Sequence, residues 1–235
     1  AKECNFEMQP LRMSVQKIYL VSSPTFDFQS IEIQEFIKEF KTGPMTIEAL
    51  IKLYEKTRDF ALYDPYHLDL RPCSLKASVI VNKKRAWCVE KATLMVASCR
   101  ALGIPAKMGF ATVINHLGSD KLEAYLKRKE ITFHGYASIF WNNQWVRCTP
   151  AFDQRICRMT KVPVLEWDGK SDSLFQAESE EGRFMEYIHY YGEFDEIPFQ
   201  LMHEEMKRYY PHLFEYRYDD KDFSFKYDTL FNNDN

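Results

Sequence analysis

The chain has six cysteines and six histidines with which to do thiol or imidazole chemistry, and one of the cysteines holds a privileged place. Cys88, Ala92, Met95, Cys99 and Leu102 recur at alternating steps of four and three, the spacing of one helical face, and Gly103 and Pro105 end the run. Cys88 therefore stands in the first turn of the predicted helix. There the unpaired amides and the positive end of the helix dipole favour a thiolate, the nucleophilic form of cysteine. Such a nucleophile needs a base within hydrogen-bond reach and a third group that fixes the base's orientation.

A predicted hairpin narrows the choice of base. The runs Ile131 to Trp141 and Trp145 to Thr149 are aromatic and β-branched, and the intervening Asn142-Asn143 tolerates the positive φ of a two-residue turn. Trp141 then faces Gln144, and the same register carried along puts His134 opposite Ala151. Thr149, Ala151 and Asp153 share a face with His134, Thr149 and Asp153 being diagonal neighbours at roughly 7 to 8 Å. Cys148 falls on the other face, which removes it as a rival nucleophile. Pro150 cannot donate a ladder hydrogen bond, so the register weakens there.

Two stretches together resemble a known family. W-C-V-E-K-A-T-L-M-V-A-S-C-R-A-L-G-I-P-A-K (Trp87 to Lys107) and H-G-Y-A-S-I-F-W-N-N-Q-W-V-R-C-T-P-A-F-D (His134 to Asp153) are similar to the transglutaminase-like superfamily, and Tyr63-Asp64-Pro65 fits the entry loop of such domains. The resemblance spans roughly residues 55 to 153. It implies an α+β fold with a papain/transglutaminase-like core, the nucleophile helix packed against an antiparallel β-sheet. Cys88 matches the family nucleophile and His134 the family base. The third position departs: where the family commonly has Asp-Pro-Thr, this chain has Thr149-Pro150-Ala151, and Asp153 is the nearby carboxylate on the right face. For the acyl oxyanion, the backbone N–H of Cys88 is the expected first donor. Asn82 is a candidate for the second, and Trp87 is expected to line the cleft.

Around these residues, Ser30 to Lys41 reads as a helix ended by Gly43 and Pro44, and Thr46 caps a second helix through about Phe60, with Met45 and Leu50 at the hydrophobic-staple spacing. Tyr63 to Ser78 is turn-rich, Ala106 to Ile114 a strand, and Ser119 caps a short helix. Val162 to Trp167 reads as a strand, Asp168-Gly169 as a turn, Phe199 to Tyr210 as a helix, and Asp219 to Asn235 as a frayed tail. No linker divides the chain, so a single domain is expected over 1–235, with a core at about 45–165, an N-terminal helical part at about 1–44 and a C-terminal extension at about 166–235.

Composition excludes several functions. With 235 residues, 46% hydrophobic and 36 Phe, Tyr and Trp together, the chain fills a core and is not disordered for most of its length. A net charge of −3 gives no positive field for nucleic-acid backbones. No apolar stretch approaches the ~20 residues of a bilayer span, and no signal-peptide pattern opens the chain, so the expected location is cytoplasmic. Cys4, Cys73, Cys88, Cys99, Cys148 and Cys157 are scattered without a C-x-x-C, which argues for reduced thiols, against a structural zinc site and against a peptide N-glycanase-like activity. No cofactor or metal is expected, and the lack of a Gly-rich phosphate loop disfavours an acyl-coenzyme donor. The expected activity is a thiol-dependent hydrolase or acyl transferase acting on the amide bonds of a peptide, a protein or a small carboxamide. It would work through a Cys88 thioester with His134 as general acid/base. The alternative is a catalytically inactive peptide- or protein-binding domain on the same scaffold.

Overall fold

The computed structural model describes residues 16–115, 120–174 and 185–214, with two short paired strands at 218–219 and 224–225. Cys4, His116, the Ser119 cap and most of the Asp219–Asn235 tail lie outside the described residues.

Short-range signals set the first helices. Ser30 accepts from Ile33 N to cap α1 (Ile31–Phe36), which passes into a 3₁₀ turn at Lys38–Lys41. Thr46 accepts from Ala49 N to cap α2 (Ile47–Asp59). The turn-rich stretch that follows contains the two-residue strand β1 (Leu62–Tyr63), α3 (Ala77–Ile80) and β2 (Arg85–Ala86), β1 and β2 pairing in parallel.

The centre of the molecule is α4 (Cys88–Ala101), buried on every side from Cys88 to Arg100. A helix so enclosed must pair each charge it carries. Glu90 accepts from Trp87 N and ion-pairs with Lys83. Lys91 donates to Arg58 O at 2.7 Å, and Arg100 donates to the carbonyls of Ala106, Val21 and Asp195.

One face of α4 packs on a four-stranded antiparallel sheet in the order β5-β4-β3-β6. Its strands are β3 (Ala106–Asn115), β4 (Glu130–Trp141), β5 (Gln144–Cys148) and β6 (Met185–Phe194). Between β3 and β4 lies α5 (Asp120–Leu126). The hairpin turns at Asn142 (φ 48°) and Asn143 (φ 63°), and Trp141 pairs with Gln144 in the expected register. That register ends at Ala137 opposite Cys148. Beyond it, Thr149 N donates to Ser173 O, so the chain leaves β4 before reaching His134.

Three segments depart from expectation. Asp153 N-caps α6 (Gln154–Thr160), a helix the sequence reading passed over. Val162 to Trp167 is not a strand; the Leu165 carbonyl accepts from Tyr54 and Arg58 instead of from a sheet neighbour. The sheet also draws its fourth strand, β6, from beyond residue 165. The C-terminal part thus builds the fold and is more than an extension. It ends with α7 (Phe199–Tyr209) and α8 (Pro211–Phe214), which bury Met202, Met206, Leu213 and Phe214.

Candidate active site

Gly135 brings the two candidate catalytic elements into contact. A Cβ at this position would stand 2.9 Å from Val89 Cα, in the first turn of α4, so only a glycine lets β4 approach the helix this closely. The contact sets Gly135 N–H against the Cys88 sulfur, beside the N–H groups of Val89 and Cys88 itself. These three donors favour a thiolate, as expected at a helix N-terminus. Burial outweighs them: Cys88 is 3% exposed, and its thiol is pushed up to about 12. The thiolate that the helix position favours is therefore outweighed by burial. The helix dipole acts, but the desolvation of a sulfur anion costs more.

His134, one residue before Gly135, is 1% exposed, and burial lowers its imidazole to about 3. Burial thus favours the neutral thiol at Cys88 and the neutral imidazole at His134. A bulge aims the imidazole. Pairing with β3 runs Ala111 to His134 and then Val113 to Ile131, leaving one extra residue on β4, and Phe133 takes a left-handed φ of 54° there. Phe133 packs on Phe110 and Tyr191, which hold this conformation. The His134 ring meets Tyr187 of β6 edge to face, with centroids 6.3 Å apart.

Thr149, in the family's acid position, is 1% exposed and faces the Tyr187 hydroxyl closely enough to favour its ionised form, although burial raises that phenol overall. Tyr187 in turn stands close enough to Cys88 that an ionised thiol would raise it further. The structure thus gathers Cys88, His134, Thr149 and Tyr187. Tyr187 was not singled out from sequence, because its strand carries two bulges that break the alternation by which a facing residue is recognised.

Asp153, expected to orient His134, is not brought into this group. Its Oδ1 accepts from Arg155 N at 3.0 Å and Ile156 N at 3.2 Å, capping α6. Its Oδ2 accepts from Tyr63 N at 2.7 Å and stands 3.8 Å from Lys91 Nζ. Facing parity alone had put it beside His134, but the strand that would have carried it there ends at Cys148. Asp153 instead ties the entry loop at Tyr63 and the start of α6 to the buried face of α4. Lys91 is wholly buried, and desolvation lowers its ammonium to about 8 despite Asp153 and Asp59.

Asn82 is also elsewhere: its side-chain amide donates to Ser78 O at the end of α3. Trp87 does line the site. Its residue is 4% exposed, and Nε1 is buried with no hydrogen-bond partner among the described residues. Trp87 and Cys88 wall a cavity of about 30 Å³, room for a water or two, together with Tyr63, Leu68, Ile131, Thr132, Met206 and Tyr210. Among the described residues no group of three or more His, Cys, Asp or Glu side chains is placed to hold a metal ion, and no helix is long and apolar enough to cross a membrane. Cys73 is exposed, whereas Cys99, Cys148 and Cys157 are buried, and all are free thiols.

Comparison with known proteins finds a family match over the stretch that holds α4 and the β4–β5 hairpin. The family model of the transglutaminase-like superfamily matches residues 34–150. That segment is similar to the core of the superfamily. Among solved structures, a protein named a putative cysteine protease, from Cytophaga hutchinsonii, is similar at 16% identity with a TM-score of 0.46, over 61% of this chain and 45% of that one. This chain therefore spans under half the length of that protein. No curated protein matches it. The transglutaminase-like core accounts for α4 and the β4–β5 hairpin, while β6, α7 and α8 lie beyond the matched residues.

Proposed function

We propose that this protein is a thiol-dependent hydrolase or acyl transferase acting on carboxamide or ester carbonyls through a thioester at Cys88. The observation that carries the proposal is the close approach of Gly135, one residue from His134, to the first turn of α4, which brings backbone amides that favour the thiolate to Cys88. Attack begins from the neutral pair. The His134 imidazole takes the thiol proton as the sulfur bonds to the carbonyl carbon, then returns it to the departing amine or alkoxide. Water or an acceptor amine releases the acyl group in the second half. The Cys88 N–H stabilises the oxyanion of each tetrahedral intermediate, and the unpartnered Trp87 indole N–H in the same cavity wall supplies the second donor. Tyr187, edge to face with the imidazole and with Thr149 beside its hydroxyl, takes the place of the family's acid in holding the ring. A hydroxyl pair orients a ring but does not neutralise an imidazolium, so the expected turnover is slow.

A second reading, a binding domain without turnover, is favoured by Thr149 at the acid position. Release of p-nitrophenol from p-nitrophenyl acetate separates the two. The enzyme reading expects a wild-type rate above background that is abolished in Cys88→Ala and falls by about 10² or more in His134→Gln. Equal rates in all three proteins favour the binding domain.

A further inference from the structure

We infer that the uncovered edge of β4 beside Cys88 is the seat of an extended polypeptide substrate, and that Tyr210 now occupies it as the tip of a displaceable C-terminal cap. The inference rests on the reading of Cys88 as the reacting group. Strand β5 covers β4 only from Ala137 to Trp141, so among the described residues no strand lies on that side of residues 130–135. Two of the backbone groups there are held by one side chain: Thr132 N donates to the Tyr210 hydroxyl at 2.8 Å, and that hydroxyl donates to Glu130 O at 2.9 Å. A third, Gly135 N–H, faces the Cys88 sulfur. A donor and an acceptor two residues apart on an open strand are the pair that an added strand uses, which gives affinity from backbone alone. The same edge then leads to the sulfur.

Tyr210 is therefore seated where a substrate backbone would lie, close enough to Cys88 that ionisation of the thiol would act on its phenol. The remaining cavity, about 30 Å³, admits no acyl group larger than a few atoms until this side chain leaves. The cap has its own latches on the sheet: Tyr191 donates to Glu205 at 2.7 Å, and Arg128 donates to the Tyr209 carbonyl at 3.3 Å. Helices α7 and α8 also seat Met202, Met206, Leu213 and Phe214 in the core, so the motion needed is the release of the Tyr210 side chain from the edge while β6 stays in the sheet.

The test is the rate at which Cys88 is alkylated, located by peptide mass mapping. Tyr210→Phe keeps the ring and removes both hydrogen bonds, so chloroacetamide should alkylate Cys88 about tenfold faster than in the wild type, with Cys99 unlabelled. Thr132 N–H should lose hydrogen-exchange protection in parallel. In that variant, acetyl-trialanyl chloromethyl ketone should outpace chloroacetamide at Cys88 by about tenfold beyond their ratio on free cysteine. Methylating the inhibitor's central amide nitrogen should remove the advantage. An unchanged Cys88 rate, or Cys99 labelled in step with Cys88, overturns the cap. A faster Cys88 with no advantage for the peptidyl reagent overturns the polypeptide seat. Alkylation reports access and thiolate fraction and needs no acyl turnover, so either failure is distinct from a failure of acyl chemistry at Cys88.

Discussion

Replacing Asp153 by Ala is expected to unfold the site without acting through His134. The carboxylate has four partners, each with a cost of loss. The α6 cap is worth about 1 kcal/mol, and a charged hydrogen bond such as that to Tyr63 N about 1.5–3 kcal/mol. Lys91, with no exposed surface, is left beside Asp59 and the Arg58 carbonyl. Breaking a buried pair costs about 3–5 kcal/mol, and the 3.8 Å separation with Asp59 nearby argues for the lower end. These terms overlap, so the expected total is about 3–5 kcal/mol. Urea unfolding followed by far-UV circular dichroism measures it. In a Lys91→Met background the cost of Asp153→Ala should fall by about 2 kcal/mol, because no charge remains to be orphaned. Asp153→Asn, which keeps the cap, should leave the His134 titration where it is. A loss below about 1 kcal/mol in Asp153→Ala, joined to a shift of the His134 pKa in Asp153→Asn, would refute this reasoning and restore Asp153 as the orienting acid.

Other outcomes follow from the same geometry. His134 should stay neutral in NMR titrations down to about pH 3. Its unfolded pKa is near 6.5, so the unfolded chain takes up the proton first as pH falls. Wild-type stability relative to His134→Gln should then decline between pH 6.5 and 3, by on the order of 4 kcal/mol in all; an imidazole titrating near 6.5 in the folded protein contradicts this. Cys88 has the opposite sense: its thiol is raised to about 12, so stability relative to Cys88→Ala should fall as pH rises above about 9. Equal pH profiles would show that the sulfur is not desolvated. Gly135→Ala places a methyl 2.9 Å from the Val89 backbone and from Met108 Cε, and should cost about 1–3 kcal/mol while exposing Cys88 to alkylation. Unchanged melting would mean that β4 does not press on α4.

Local rules made α4 and the hairpin legible. The 3-4 spacing from Cys88 to Leu102 and the two Asn at positive φ are decided within a few residues, and both hold. Strand β6 was hidden because Ile188 and Tyr191 are extra residues opposite β3, and each shifts the alternation by one. The site failed in part for a related reason. Parity along β5 was carried past Pro150, where the strand had ended, and an Asp that caps a helix looks in sequence like an Asp that serves a histidine. The Tyr210 contact spans 78 residues and has no local signature at all.

The account turns on the Cys88 sulfur carrying an acyl group, which is directly observable. Tyr210→Phe protein mixed with p-nitrophenyl acetate, quenched in acid within seconds and mapped by peptide mass spectrometry, should carry one acetyl group on Cys88. The adduct should decay on incubation at neutral pH and decay more slowly in the added presence of His134→Gln. Acetyl on the exposed Cys73 with none on Cys88 would contradict the account.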